Sequence, residues 1–320
     1  MKKTRVAVIG VGHLGQHHAR ILANHERCTL AAVCDVNKKI ANQIAKTYGT
    51  QAVFDHKLLL GHVDAVSIAV PTISHFEIAK AFLEDNVHVL VEKPITPTVE
   101  EAQELVNIAR DHKRVLQVGH IERFNAAIMK LNEILNEPQF IEIHRLGPYD
   151  PRVKDIGVVL DLMIHDLDIV LQIVRSPVQS IDAVGVGVLS DKEDIANARL
   201  KFASGCTANL TVSRITPVKK RKLRVFQKDA YIAIDYADQS MEIYRKVDVP
   251  NPKAGQPAAE IVRTKVRLKK EEPLKVELDH FIDCVEKGIE PTVTGQHGAN
   301  ALQLAVTISQ LIAKNLPYGR

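Results

Sequence analysis

The stretch that decides the fold is RVAVIGVGHLG, which runs from Arg5 to Gly15. Its first five residues form an apolar run typical of a buried strand, and a helical pattern follows the last glycine. A G-x-G-x-x-G string between a strand and a helix is typical of a dinucleotide-binding turn. In that turn Gly10 permits the tight bend, Gly12 lets the backbone approach a pyrophosphate, and Gly15 allows close helix–strand packing. The alternative is an ordinary strand–turn–helix whose glycines serve packing alone.

An acidic residue stands where such a turn predicts one. Asp35 lies 20 residues beyond Gly15, at the end of an apolar run. A carboxylate there can accept hydrogen bonds from an adenosine ribose, and its charge would repel a 2′-phosphate. We therefore expect NAD as the cofactor, while Lys38 and Lys39 nearby leave NADP open.

Composition bounds the class of protein. The 320 residues suffice for two domains, and 46% apolar with 25% charged residues is typical of a soluble globular chain. A net charge of +4 does not favour a nucleic-acid partner. The apolar run at the N-terminus is too short for a signal peptide or a membrane span. The four cysteines lack metal-like spacing, so we expect reduced thiols in a cytoplasmic protein.

The order of the secondary-structure patterns predicts an α/β fold with two domains. Patterns alternate through residues 1–122, with strands near 5–9, 29–34, 64–70, 87–91 and 115–118 and helices near 13–24, 37–48, 74–85 and 98–112. This alternation predicts a doubly wound Rossmann sheet of parallel strands. Residues 123–320 instead predict an α+β domain for substrate binding and oligomerisation, with a largely antiparallel open sheet and a loop at 250–257.

Two segments follow strands at the edge where a doubly wound sheet binds its ligand. The strand ending at Val70 leads to Pro71, Thr72 and His75, which we expect to lie over the cofactor. The next strand ends at Glu92-Lys93-Pro94, where a cis peptide bond before the proline is an option. A lysine at that position points into the ligand crevice, and partial burial would lower its pKa towards a range useful for proton transfer. The alternative is a solvated lysine.

A third segment carries acid–base residues at helical spacing. Asp161, His165 and Asp168 fall four and three residues apart, which places them on one helix face. His165 can act as an acid or base near neutral pH, and Asp161 can orient it or hold a substrate hydroxyl. The alternatives are a divalent metal site and a surface salt-bridge set. No separate His/Cys cluster completes a metal site, so we predict no metal.

Five basic residues between Lys219 and Arg224 fall where a strand begins. Their ordinary interpretation is a solvated strand end or an oligomer rim. The alternative is an attraction for an anionic substrate such as a sugar nucleotide.

Taken together, the motifs GVGHLG, VPTISH, VEKPI, VGHIERFN and DLMIHDLD occur in an order that identifies a resemblance over essentially the whole chain. The chain resembles the glucose–fructose oxidoreductase/inositol dehydrogenase/MocA family of nicotinamide-dependent sugar dehydrogenases. The resemblance implies hydride transfer between nicotinamide and a secondary hydroxyl of a sugar or sugar nucleotide. It also implies a Rossmann domain followed by an α+β domain, and a homodimer or homotetramer.

The resemblance assigns roles to individual residues. Lys93 corresponds to the lysine that contacts substrate and assists proton transfer, His165 to the acid/base, and Asp161 to the carboxylate one turn earlier. Arg123 and Asn125 correspond to residues near nicotinamide and substrate. The residues expected at the cofactor are Gly10, Gly12, His13, Leu14, Gly15, Asp35, Pro71, Thr72, His75, Glu92 and Lys93.

A finer similarity concerns the substrate. The segment SRITPVKKRKLRVFQKDAYIAIDY, together with IHDLDIV, is similar to bacterial members that oxidise the 3-hydroxyl of UDP-N-acetylglucosamine on the way to a lipid A 3-amino sugar. The alternatives are a dehydrogenase of inositol, another polyol or a free sugar, and an NAD-binding regulator without turnover.

Overall fold

A computed structural model describes residues 3–150, 156–250, 257 and 259–315. The chain forms two compact units. The first holds residues up to 121 together with 272–303, and the second holds 122–271 together with residues from 304 onward. The predicted loop at 250–257 lies mostly outside the described residues.

The first unit is built on a six-stranded parallel sheet with the order β3-β2-β1-β4-β5-β6. Its strands are β1 (Thr4–Ile9), β2 (Cys28–Cys34), β3 (Gln51–Val53), β4 (Ala65–Ile68), β5 (His88–Glu92) and β6 (Leu116–Gly119). The five predicted strands are confirmed within one or two residues at each end. The short edge strand β3 was not predicted, because three residues carry too little pattern.

Helices connect these strands as predicted. They are α1 (Gly15–Ala23), α2 (Lys38–Tyr48), α3 (His75–Glu84) and α4 (Val99–Asp111). The first unit also includes α7 (Pro273–Lys287) and the beginning of α8 (Gly295–Asn315). The sequence-based division assigned α7 to the second domain. It groups with the first unit because its apolar side chains Leu278, Phe281 and Ile282 join the same core cluster as Val8 and Leu22.

The second unit is built on an eight-stranded sheet with the order β14-β13-β12-β11-β7-β10-β9-β8. All neighbouring strands are antiparallel except the parallel pair β7–β10. The strands are β7 (Phe140–Leu146), β8 (Val178–Val186), β9 (Ile195–Phe202), β10 (Thr207–Ser213), β11 (Lys220–Phe226), β12 (Ala230–Asp235), β13 (Ser240–Asp248) and β14 (Ala259–Val266). The predicted fold class, a Rossmann sheet plus a largely antiparallel second sheet, is confirmed.

One face of this second sheet is buried. Ile143 of β7 lies opposite Leu223 of β11, and both side chains are inaccessible to solvent. The alternate positions Glu142 and Arg224 lie opposite each other on the other face, where they form an ion pair of 3.1 Å. We call the side that carries Ile143 and Leu223 the covered face. The unit's helices are α5 (Ala126–Ile134), α6 (Ile164–Val174) and the end of α8.

The helix predicted from the spacing of Asp161, His165 and Asp168 contains an irregularity. Val159–Met163 form a π-helical turn that leads directly into α6, and the Ile164 N–H bonds to the carbonyl of Val159. Such turns are rare and concentrate at functional sites. The turn carries Asp161, one of the predicted site residues.

None of the helices in the described parts of the chain combines the length and apolar character needed to cross a bilayer.

Candidate active site

The three glycines of the turn after β1 have two different roles, in the fold and at the ligand site. Gly10 has φ +82°, and a Cβ there would lie 2.7 Å from the carbonyl oxygen of Ala69. A Cβ on Gly15 would lie 1.8 Å from the carbonyl oxygen of Gly10. Around a Cβ on Gly12, by contrast, the described residues place no heavy atom within 4 Å. The fold therefore requires glycine at positions 10 and 15, whereas Gly12 leaves open space for a bound group.

The N-terminus of α1 is kept available for an anion. Among the described residues no side chain caps it. In the same unit Asn37 caps α2 and Thr98 forms a capping box on α4, whereas α3 has no side-chain cap among the described residues. The positive end of the helix dipole, with no side chain placed over it, favours a phosphate at this place. With the open space at Gly12, the turn fits a dinucleotide pyrophosphate.

Asp35 stands directly after β2 and is held by the backbone. Its Oδ2 accepts a hydrogen bond of 3.0 Å from the Val11 N–H, and its Oδ1 accepts one of 2.8 Å from the Asn37 N–H. A carboxylate has about four acceptor sites, so two remain for ribose hydroxyls. The half-buried carboxylate is therefore positioned before any ligand arrives.

The loop after β4 contains the predicted residues Pro71, Thr72 and His75. Pro71 is exposed, Thr72 begins a short 3₁₀ turn, and His75 begins α3 and is buried. The His75 ring lies between two carbonyl oxygens, with Nδ1 2.8 Å from Pro94 and Nε2 3.0 Å from Val70. Burial lowers its pKa, although both carbonyls favour a protonated ring. His75 therefore ties the β4 loop to the β5 loop, and its contact with the cofactor stays a prediction.

Lys93 follows β5 directly, at the ligand edge of the sheet. It is half-buried, and the Lys93–Pro94 peptide bond is cis, as the sequence suggested. Glu92 before it is 8% exposed and turns into the protein rather than into the crevice. A Cβ on Gly119 would lie 2.9 Å from the Glu92 carboxyl carbon, so that glycine makes room for the carboxylate.

Glu92 belongs to a buried polar chain that the sequence did not reveal. Its Oε1 lies 3.3 Å from Nε2 of His18, whose Nδ1 lies 2.7 Å from Oγ of Ser67. Burial alone would raise the pKa of the Glu92 carboxyl, but His18 and Lys93 outweigh it and hold the pKa below its ordinary value. Lys93 is thus preceded by a fixed negative charge. His18 sits among apolar residues of α1, a pattern that predicts a core face rather than a polar contact.

A second buried acid, Glu277 of α7, lies in the same unit. It is 0% exposed, and among the described residues neither carboxyl oxygen has a hydrogen-bond partner. Burial, reinforced by the negative charge of Glu92, raises its pKa well above the ordinary value. The surroundings of Glu277 therefore favour its neutral, protonated form.

In the second unit, Asp161 and His165 lie on consecutive turns. Asp161 belongs to the π-helical turn and His165 to the first turn of α6, and both are half-buried. Asp168, predicted on the same face, is buried and bound by Arg123 through bonds of 2.6 Å and 2.8 Å. Asp168 thus anchors Arg123, which leaves Asp161 and His165 as the candidate acid–base residues of this segment.

Arg123 and Asn125 are also engaged within the second unit. The Asn125 Oδ1 caps α5 by accepting from the Ala127 N–H at 3.1 Å, and its Nδ2 donates to the carbonyl of Tyr236 at 3.0 Å. Both residues are buried. Their polar groups serve the fold, and their contact with substrate stays a prediction.

The described residues contain no cluster of three His, Cys, Asp or Glu side chains arranged to hold a metal ion.

Comparison with known proteins fixes the family. The family model GFO_IDH_MocA, described as an oxidoreductase family with an NAD-binding Rossmann fold, matches residues 4–120. The model of the GFO/IDH/MocA C-terminal domain matches residues 137–243. The chain belongs to the GFO/IDH/MocA family. The resemblance inferred from the motifs, the oxidoreductase class and NAD as the cofactor are thereby confirmed.

Several members of this family are similar along their whole length. UDP-N-acetylglucosamine 3-dehydrogenase of Acidithiobacillus ferrooxidans is 36% identical, over 97% of this chain and 99% of its own. A solved structure of the enzyme of that name from the same organism has a TM-score of 0.91, with 34% identity over 99% of this chain and all of its own. Inositol 2-dehydrogenase of Rhizobium meliloti is 27% identical over 97% of each chain.

Two substitutions in the GFO/IDH/MocA fingerprint should separate folding from cofactor binding. Gly12→Ala adds a methyl group in open space, so we expect an unchanged melting temperature but NAD affinity about tenfold weaker, because the methyl displaces the pyrophosphate. Gly15→Ala forces the turn apart and should lower stability by about 1–3 kcal/mol. Thermal melting and NAD titration of both variants provide the test. A Gly12→Ala protein that binds NAD normally would exclude this turn as the pyrophosphate site.

Asp35→Ser tests the choice between NAD and NADP. Removing the carboxylate should weaken NAD binding and bring the dissociation constants of the two cofactors closer together, because the repulsion of a 2′-phosphate is lost. Fluorescence titration of both proteins with both cofactors measures this shift. A preference of the unaltered protein for NADP would contradict the role given to Asp35.

Proposed function

We propose that this chain oxidises the 3-hydroxyl of UDP-N-acetylglucosamine with NAD. The observation that supports the proposal is similarity to the Acidithiobacillus ferrooxidans 3-dehydrogenase over nearly the full length of both chains. The residues that this reaction would use also support the proposal, because the glycine-rich turn, Asp35, Lys93, Asp161 and His165 are all present in the chain.

The proposed chemistry follows from what a secondary alcohol must lose. Bound NAD supplies the hydride acceptor. The hydroxyl proton must also leave, since otherwise positive charge would develop on the carbinol carbon. We assign proton removal to Lys93 or His165, with the other polarising the oxygen, and we assign to Asp161 the orientation of that group or of a vicinal hydroxyl. Well-placed acid–base groups of this kind contribute about a hundredfold to ten-thousandfold in rate.

The decisive experiment follows NADH absorbance with purified protein and UDP-N-acetylglucosamine. Because a 3-keto product is thermodynamically uphill, the assay is coupled to a 3-aminotransferase with glutamate. Myo-inositol, N-acetylglucosamine and methyl glucoside serve as comparison substrates. Turnover confined to the UDP-sugar supports the proposal, and turnover of myo-inositol with none of the UDP-sugar refutes it.

Inositol oxidation is the second candidate, supported by the 27% identity with the Rhizobium meliloti enzyme over 97% of each chain. The same assay decides between the two. Tight NAD binding without turnover of any substrate would favour the third candidate function, an NAD-binding regulator without turnover.

We further propose a cytoplasmic homodimer or homotetramer. Exposed apolar residues on and next to the edge strand β8, namely Val184, Val186 and Val188, support self-association. All four cysteines are buried and unpaired, which suits a reducing compartment. Light scattering of the purified protein measures the oligomer, and a monomeric mass would contradict it.

A further inference from the structure

We propose that a cavity in the second unit binds the phosphate groups of a sugar-nucleotide substrate, with Arg221 and Lys219 as the anchoring cations. This inference rests on the proposed function and names the part of the substrate that the cavity recognises.

The cavity measures about 380 Å³, within the range of small-molecule sites. It lies wholly among residues of the second unit. Its wall contains the candidate catalytic residue Asp161. The charged and aromatic side chains of the wall include Arg145, Tyr149, Asp161, Arg214, Lys219 and Arg221.

Two of the four cations are already paired with carboxylates of the fold. Arg145 donates to both carboxyl oxygens of Asp166 at 2.8 Å and 2.9 Å and to Glu122 at 3.0 Å. Arg214 donates to Asp194 at 2.6 Å. These buried pairs build the cavity wall and engage the hydrogen-bond donors of both guanidinium groups.

The other two cations are Lys219 and Arg221. Among the described residues, the side chains of Lys219 and Arg221 form no ion pair or hydrogen bond. Arg221 lies directly opposite Arg145 in the pairing of β11 with β7. Like charges directly opposite on neighbouring strands destabilise a sheet, and a bound anion would remove that repulsion.

The electrostatics of Arg221 agree with this geometry. Partial removal from water, followed by the positive charge of Arg145, lowers the pKa of the Arg221 guanidinium. Glu122 and Asp166 oppose the effect without cancelling it. The side chain is nevertheless exposed, so an anion from solution can reach it.

Strand alternation divides the basic cluster that the sequence showed as one group. Arg221 has the parity of Leu223 and belongs to the covered face, where it lines the cavity. Lys222 and Arg224 have the opposite parity, and each faces a carboxylate: Asp235 at 3.8 Å and Glu142 at 3.1 Å. Only part of the cluster is therefore available to a ligand, and the remainder provides a matched control.

The carboxylates of the wall specify the ligand further. Asp150 and Asp161 line the same cavity as the two cations. Phosphate oxygens accept hydrogen bonds from Arg and Lys, whereas sugar hydroxyls donate to carboxylates. A wall with both kinds of group fits a molecule that carries phosphates beside hydroxyls, which is the chemistry of a sugar nucleotide.

The test compares Arg221→Met and Lys219→Met with the control Lys222→Met. Calorimetric titration with UDP, in the presence of NAD, measures the dissociation constant of UDP without turnover. We expect each cavity variant to bind UDP at least tenfold more weakly, because a charge-assisted hydrogen bond is lost. Lys222→Met should bind like the unaltered protein. In the coupled assay the cavity variants should raise KM for UDP-N-acetylglucosamine at least tenfold and change kcat less than about threefold.

The melting temperature distinguishes a ligand-binding role of Arg221 from a structural one. Arg221→Met removes a like-charge pair, so its melting temperature should equal or exceed that of the unaltered protein while UDP binding falls. If Arg221→Met does not fold, Lys219→Met decides alone, because Lys219 precedes β11. UDP affinity unchanged in Lys219→Met and in folded Arg221→Met overturns the site.

The outcomes distinguish the site from the proposed function. Turnover of UDP-N-acetylglucosamine with unchanged KM in both cavity variants would refute the site and keep the function. UDP binding that depends on Arg221, in a protein that oxidises only myo-inositol, would refute the function and keep a nucleotide-phosphate site.

Discussion

Lys93→Met is expected to lower kcat about a hundredfold to ten-thousandfold while NAD binds with nearly unchanged affinity. Lys93 directly follows β5 at the edge where a parallel sheet binds its ligand. Methionine keeps the length and most of the apolar stem but cannot exchange a proton. Because the preceding charge of Glu92 is held by His18 rather than by Lys93 alone, the local fold should survive the substitution.

Steady-state kinetics with NAD titration measure both expectations on one preparation. Lys46→Met is the matched control, since Lys46 is an exposed residue of α2. Thermal melting shows whether the variant is folded. Unchanged turnover in Lys93→Met would remove Lys93 from the reaction and leave His165 as the remaining candidate base.

Much of the first unit could be predicted from the sequence because its signals are local. A buried parallel strand reads as an apolar run, and the turn glycines stand at fixed spacing from β1 and Asp35. The predicted placement of Lys93 after β5 follows from the same pattern. For the second unit the sequence predicted a largely antiparallel sheet but not its strand order. That order, and the division of the basic cluster between the two sheet faces, depend on pairing between distant segments.

The polar interior was not predicted, and the reason is physical. Glu277 stands three residues after Leu274 and four before Phe281, on the apolar face of α7, and the packing of α7 in the first unit buries it. Arg145 gave a usable signal that was missed, since it stands at the inward position of β7 after Ile141 and Ile143. A charge at an inward strand position predicts a buried partner, here Asp166. The π-helical turn leaves no mark on the hydrophobic pattern.

Buried acids also bear on stability. His18 and Lys93 lower the pKa of Glu92, whereas burial and the charge of Glu92 raise the pKa of Glu277. The pKa values of the two carboxyl groups are thus shifted in opposite directions. Only Glu277 is expected to lower the free energy of unfolding as the pH rises, because its proton is lost more easily from the unfolded chain than from the native protein.

Glu277→Gln is therefore expected to stabilise the protein at neutral pH. The native pKa of Glu277 is raised above its unfolded value, so its contribution is fully present below about pH 4.5 and is lost as the pH rises towards the native pKa. Over that window each pH unit lowers the stability of the unaltered protein by about 1.4 kcal/mol. Glutamine has the same shape and cannot ionise. The advantage of the variant should be near zero around pH 4.5 and should grow as the pH rises towards the native pKa of Glu277.

Urea unfolding at pH 5, 6, 7 and 8 measures this slope. Glu290→Gln is the control, because Glu290 is exposed just beyond α7 and should leave the pH dependence unchanged. A Glu277→Gln protein that is less stable at every pH would show that Glu277 is ionised and held by a partner in the native state. A pH dependence of stability that is present with glutamate at position 277 and absent with glutamine would instead establish a protonated carboxylic acid in the first unit. The negative charge of Glu92 would help to maintain it.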